Sequence, residues 1–161
     1  MKEVKINGLA LDVTTNSPVI ILAPLDSEEL LLPIWIGHFE AWAIGMELSG
    51  LSSNRPLTHD LLKSSIESLG GKILKVEVTK LVNQTFYAII FVEMDGSIKE
   101  IDARPSDSIA LALKAKVKIY VADELFQMKK GDGKTPGVTD AESLRERLKR
   151  INPEDFGRYS L

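Results

Sequence analysis

Two aspartates and an arginine crowd one short stretch, Ile101-Asp102-Ala103-Arg104-Pro105-Ser106-Asp107-Ser108. The residues before Arg104 read as a strand and those after it as a helix. Pro105 suits a first helical position, where no backbone N–H is needed and φ is already set. Ser106 and Asp107 then fall at the positive end of that helix, where hydroxyls and carboxylates are favoured. Two carboxylates flanking such a turn, Asp102 and Asp107, could approach each other and hold a hard divalent cation, magnesium or manganese. Arg104 between them could grip an oxyanion with two parallel hydrogen bonds. The same residues have a structural account: Asp107 complements the helix dipole, and Arg104 neutralises both aspartates. The stretch marks a site and names no reaction.

Other chemistry-bearing residues lie upstream. His59 and Asp60 occupy the first turn of a helix read over residues 58–69. A histidine can act as a general base or a ligand near neutral pH; it can equally be half-buried and bonded to a neighbouring backbone group. Adjacent helical residues diverge by about 100°, so His59 and Asp60 do not serve one metal together. Glu40 sits in the first turn of another apolar-rich helix, as a ligand or as a carboxylate favoured by the dipole. Arg55-Pro56 repeats the Arg104-Pro105 pair, and Arg55, like Arg104, is a candidate phosphate contact; the repeat is also what any good helix start looks like. Lys114, Lys116 and Lys118 alternate, with Lys72, Lys75 and Lys80 elsewhere; these form either a basic rim or a solvated face. Trp35 and Trp42 could stack on bases, although Trp35, inside a strand, reads as core. His38 reads as surface. No Walker loop, GxGxxG, His-Glu-x-x-His or Gly-x-Ser-x-Gly is present.

The elements that must position these groups follow from periodicity. Strands are expected at 4–13, 19–23 and 30–36, the last two as a hairpin, followed by a helix at 38–49 and a loop at 50–56. In the helix at 58–69, Leu61, Leu62, Ser65, Ile66 and Leu69 fall on one arc, predicting the buried face; Gly70-Gly71 ends it. Residues 72–81 alternate as a half-buried strand. Residues 85–94 are more continuously apolar, which places them nearer the sheet centre, and Asp95-Gly96 turns the chain into a strand over 97–103. Residues 109–113 are apolar all round, so the helix after Pro105 is buried. A short strand follows at 119–121. The remainder divides into a flexible polar loop (126–138) and a last helix with a tail (139–161). The seam of that helix, Ala141, Leu144, Leu148 and Ile151, should pack on the same domain, residues 1–125, or on a second subunit. The fold class read from this pattern is α+β, a mostly antiparallel sheet of six or seven strands packed by three or four helices.

Composition sets outer bounds. At 161 residues, 44% hydrophobic and 27% charged, the chain is an ordinary globular length and mixture. With no cysteine and two histidines, a metal site would rest on carboxylates, which favours magnesium or manganese over zinc. No stretch resembles a signal peptide or a membrane span, so a cytoplasmic protein is expected. The net charge of −3 argues against coating nucleic acid by bulk electrostatics. Two glutamines, no cysteine and abundant Lys, Glu and Arg suit a thermophile.

Four ordered blocks go further: Leu32-Pro33-Ile34-Trp35-Ile36-Gly37, Glu40-Ala41-Trp42-Ala43-Ile44, Arg55-Pro56-Leu57-Thr58-His59-Asp60-Leu61-Leu62 and Asp102-Ala103-Arg104-Pro105-Ser106-Asp107-Ser108-Ile109-Ala110-Leu111-Ala112. In this order they resemble the bifunctional nuclease domain family over about residues 1–125, without the UVR-type C-terminal motif of some relatives. The resemblance implies hydrolysis of phosphodiester bonds in RNA and DNA, with nucleic acid as partner and a divalent cation as the expected cofactor. Asp102, Asp107 and Glu40 would hold the metal; Asp102, Asp107, Arg104 and His59 would form the catalytic set; and Arg55, Arg104 and Lys114 would contact substrate. The alternative is a non-catalytic, homo-oligomeric binding or regulatory module whose charged turn is structural.

Overall fold

The computed structural model describes residues 1–27 and 29–126, and the backbone of Val138–Thr139. The element order is β1 (Lys2–Asp12), β2 (Ser17–Pro24), β3 (Leu32–Trp35), α1 (His38–Leu48), α2 (Thr58–Ser68), β4 (Lys72–Val82), β5 (Thr85–Met94), β6 (Ser97–Ala103), α3 (Pro105–Ala115), β7 (Lys118–Val121) and β8 (Val138–Thr139). A single 3-10 turn, Asp123–Phe126, follows β7. The fold is α+β, as the sequence pattern requires. The loop expected at 126–138 and the helix expected at 141–150 fall almost wholly outside the described residues.

The strands form one sheet in the order β3-β2-β1-β7-β4-β5-β6, with β8 pairing the end of β1. All pairings are antiparallel except β4 with β7. That exception organises the molecule. The chain leaves β6 at one sheet edge, crosses through α3 and returns as β7 in the middle, joining the β1–β3 meander to the β4–β6 meander. The continuously apolar β5 is therefore next to the edge, and the four-residue β7 holds the centre. Periodicity cannot report that order, because local apolarity measures burial and not neighbours.

α3 is the core of the helical layer. Ile109, Ala110, Leu111 and Ala112 are all buried, because α1 and α2 flank the helix while β4, β5 and β7 lie beneath it. Pro105 stands at its first position, and the Ser108 hydroxyl donates back to the Arg104 carbonyl at 3.0 Å. Lys116 closes the helix in the left-handed region.

α2 is turned away from its apolar arc. Leu61, Leu62 and Leu69 are exposed at 60%, 39% and 76%, whereas His59 is buried and Ile66 half-buried. Two polar contacts set this rotation: Asp60 reaches back to the Leu57 N–H at 2.9 Å, and His59 bonds to α3. Trp35 also departs from expectation. It lies on the edge strand β3, 44% exposed, and its indole N–H donates to the buried Asp12 carboxylate at 2.9 Å. Among the described residues, no helix is long and apolar enough to cross a membrane.

The junction between α2 and β4 is tight. A methyl group added at Gly71 would lie 2.8 Å from Ile66 Cγ2, 2.9 Å from Val92 Cγ1 and 3.0 Å from the Ile66 carbonyl oxygen. Gly71→Ala is expected to cost about 1–3 kcal/mol, the range for overpacking a well-filled site. Urea unfolding checks this as a lowered midpoint at unchanged slope.

Candidate active site

Among the described residues, each of the three α-helices carries a carboxylate at its third position: Glu40 after the cap Gly37, Asp60 after Leu57, and Asp107 after Arg104. The position is favoured because unpaired N–H groups make a helix start electropositive. What the fold adds is convergence, since the three helix starts meet at one place.

Asp107 stands at the junction. Its Oδ1 lies 3.0 Å from His59 Nε2 and its Oδ2 accepts from Arg104 Nε at 2.7 Å, while the same guanidinium donates to Glu40 Oε1 at 2.7 Å. The carboxylates are sheltered, with side-chain exposures of 28% for Asp107 and 15% for Glu40; Arg104 is 66% exposed. Burial alone would raise the Asp107 carboxyl, but Arg104 and His59 outweigh burial and hold it below the usual carboxylate range. The bonds to Asp107 and Glu40 in turn raise the Arg104 guanidinium. An ionised Asp107 is an acceptor only, so the facing His59 nitrogen, Nε2, donates to it, and in the neutral ring the lone pair then lies on Nδ1. Nδ1 has no partner among the described residues, and no buried side-chain nitrogen or oxygen among them is left unpaired. Nδ1 therefore reaches solvent.

A second tier lies two helical turns deeper. Glu47 follows Glu40 by seven residues on α1, and Lys114 follows Asp107 by seven on α3. The Lys114 ammonium donates to Asp60 Oδ1 at 2.6 Å and to Glu47 Oε2 at 3.3 Å, with the lysine side chain only 12% exposed. Burial would lower this ammonium, but Asp60 and Glu47 outweigh that and keep it above the usual lysine range. Burial likewise pushes Asp60 up, and Lys114 together with the Leu57 N–H pulls it below the usual range. Lys114 ties α1, α2 and α3 together.

Beside both tiers opens a cavity of about 320 Å³. Its walls are α1 (Ala43, Met46, Glu47), the α1–α2 connection, the first turns of α2 and Lys114 of α3. Arg55 lies on this connection, exposed, with no partner for its guanidinium among the described residues.

The structure thus brings Glu40, His59, Arg104 and Asp107 together and places Arg55 at the adjoining rim. It does not bring in Asp102. In the β5–β6 register Asp102 pairs with Ile89, whereas Ala88, Ile90 and Val92 are the residues buried beneath the helices. Successive strand residues point to opposite faces, so Asp102 is an exposed edge-strand charge on the side away from α3. Lys114 is likewise spent within the helical layer and forms no basic rim. His59 bonds to a carboxylate 48 residues away, not to a neighbouring backbone group. His38 is exposed, as expected. Asp60 and Glu47 form a lysine clamp that local sequence patterns do not reveal; the matched seven-residue spacings on α1 and α3 are its sequence signal.

These donors do not fit a resident divalent cation. Glu40 and Asp107 both pair with Arg104, Asp107 also takes the hydrogen bond from His59, and among the described residues no three His, Cys, Asp or Glu side chains are grouped to hold a metal ion.

Two expectations follow from the network. Asp60 and Asp107 titrate lower when folded than in the unfolded chain, near 3.9. Their contribution is complete above about pH 5 and is lost as pH falls through the folded values; Lys114, raised, contributes below about pH 10 and is lost above it. Urea midpoints measured from pH 2 to 7 should fall on the acid side, with a shallower fall in Asp60→Asn. Lys114→Met leaves two carboxylates facing each other without their cation, and should cost about 1–3 kcal/mol at neutral pH, read from the same unfolding curves.

Comparison with known proteins bears on what this network serves. The profile described as Bifunctional nuclease domain matches residues 20–132. An uncharacterized protein of Mycobacterium tuberculosis (strain CDC 1551 / Oshkosh) is 37% identical over a 166-residue alignment covering 97% of this chain and 98% of its own length. Bifunctional nuclease 1 of Arabidopsis thaliana is 30% identical over 107 residues, 65% of this chain and 33% of the plant protein. Bifunctional nuclease 1 of Oryza sativa subsp. japonica is 28% identical over 120 residues, 71% and 36% respectively. The chain spans about a third of the length of these plant relatives. The profile match runs through α1, α2 and α3 and every residue of both tiers, and by it this chain belongs to the bifunctional nuclease domain family.

Proposed function

We propose that the chain is a nuclease that hydrolyses phosphodiester bonds in RNA and DNA, with His59 as its general base. Family membership supports the reaction class. The observation that carries the residue assignment is the chain of contacts Arg104–Asp107–His59, which ends in a histidine that lines the cavity. In this reading Asp107 fixes the tautomer and orientation of the ring, and the charge it carries favours the imidazolium that forms during reaction. Arg104 and Glu40 hold Asp107 in place. Arg55 supplies the cation for the phosphate, because Arg104 and Lys114 are committed to carboxylates.

The proton and electron movements are simple. Water attacks phosphorus while His59 Nδ1 takes its proton. The new P–O bond forms as the ester P–O bond breaks, and the departing oxygen takes a proton from solvent to leave as a hydroxyl. The imidazolium then returns its proton to solvent. General-base catalysis of this kind contributes about 10²- to 10⁴-fold.

Purified protein should cleave labelled single-stranded RNA and DNA, and His59→Ala should lower kcat by about 10²- to 10⁴-fold while leaving the far-UV circular dichroism spectrum unchanged. Each reaction is run with magnesium, manganese and EDTA. Activity that survives EDTA and is lost in His59→Ala supports the assignment. Activity abolished by EDTA and restored by manganese would overturn it, because Glu40 and Asp107 would then have to leave Arg104 to serve a metal. Equal trace cleavage by wild type and variant would mark a contaminant and favour a non-catalytic binding module.

A further inference from the structure

The depth of His59 constrains the form of the substrate. Only 11% of its side chain is exposed, and it lies in the wall of the cavity lined by α1, the α1–α2 connection and the start of α2. A phosphodiester reaches such a group only if the strand carrying it enters the cavity. A duplex holds its phosphates on the outside of a stiff rod whose backbone path is fixed by stacking. To bring one nucleotide inward it must unpair and unstack, as it does for enzymes that work on a nucleotide inside a pocket. A single strand meets no such cost. The volume, about 320 Å³, is at the small end of ligand pockets, which run from about 300 to 1,000 Å³, and accommodates one nucleotide.

The lining matches that occupant. Ser52, Ser53 and Asn54 offer hydroxyl and amide groups, Leu51 and Met46 offer apolar surface, and Arg55 stands exposed at the same connection. The two tiers together hold four carboxylates (Glu40, Glu47, Asp60, Asp107) against Arg104 and Lys114, so nothing else in the site attracts a long polyanion. Resting on the nuclease reading above, we infer that the site selects single-stranded nucleic acid, admits one nucleotide into the cavity, and holds its phosphate through Arg55 as the single ionic contact.

Two measurements on the full chain test this, one of them independent of catalysis. The first is fluorescence anisotropy with a labelled 12-nucleotide DNA, single-stranded or annealed to its complement, in wild type, Arg55→Ala and Lys99→Ala. Lys99, an exposed lysine on β6, controls for loss of a positive charge elsewhere. The single strand should bind at least tenfold more tightly than the duplex. Its log K against log salt slope should be about −0.7, the value for one phosphate contact on a single strand, and Arg55→Ala should flatten it while Lys99→Ala does not. The second is kcat/KM on the same two substrates, expected to favour the single strand by about 100-fold given the unstacking a duplex requires. Equal affinity and equal kcat/KM for duplex and single strand would overturn the inference, as would a slope several times steeper that Arg55→Ala leaves intact. Single-strand binding lost in Arg55→Ala without cleavage by any form would uphold the inference and instead remove the catalytic assignment of His59.

Discussion

Everything near the site depends on one carboxylate being shared. Asp107 gives one oxygen to His59 and the other to Arg104, and Arg104 passes the connection to Glu40. A carboxylate has lone pairs enough for two directional partners, and a guanidinium can meet two carboxylates in fixed geometry. The first turns of α1, α2 and α3 are thereby held at hydrogen-bond distance. A buried charge without a partner is costly, so no member of the chain can be removed without stranding the next.

That constraint explains why α2 presents leucines to solvent. An amphipathic helix normally turns its apolar arc inward, and each leucine buried would contribute about 1.5–3 kcal/mol. Here the inward side is occupied by His59 and Ile66, with Asp60 engaged by Lys114. Rotating α2 to bury Leu61 and Leu69 would break the His59–Asp107 bond and detach Asp60 from Lys114. That would leave Asp107, Lys114 and Glu47 short of partners inside the helical layer. The polar network decides the rotation, and the histidine is presented to the cavity as a result.

The distribution of charge limits how the site could meet a polyanion. A protein that grips nucleic acid through many phosphates does so with free lysines and arginines. In this site Arg104 and Lys114 are bound to carboxylates and Arg55 is left open. Such a site offers little bulk attraction, in keeping with a net charge of −3. Gly37 belongs to the same design: an added Cβ there would collide with a Glu40 carboxylate oxygen, so the lack of a side chain at the α1 cap is what admits the carboxylate beside Arg104.

The sequence by itself determined the elements and their class. Alternation in β4, the Asp95-Gly96 hairpin, Pro105 at a helix start and an all-apolar run at 109–112 are properties of neighbours in the chain, and each appears where local stereochemistry requires it. The blocks holding Glu40, His59, Arg104 and Asp107 were legible for the same reason. Their mutual arrangement was not. Asp102 and Asp107 looked like a pair because they are close in sequence, yet strand pleating sends Asp102 to the opposite face. His59 and Asp107 are 48 residues apart, and Asp60 and Lys114 are 54. Those contacts exist because α3 crosses the sheet to insert β7 between β1 and β4, carrying its first turn past α1 and α2. Local sequence specifies helix starts and strand faces; only the crossover decides which helix starts meet.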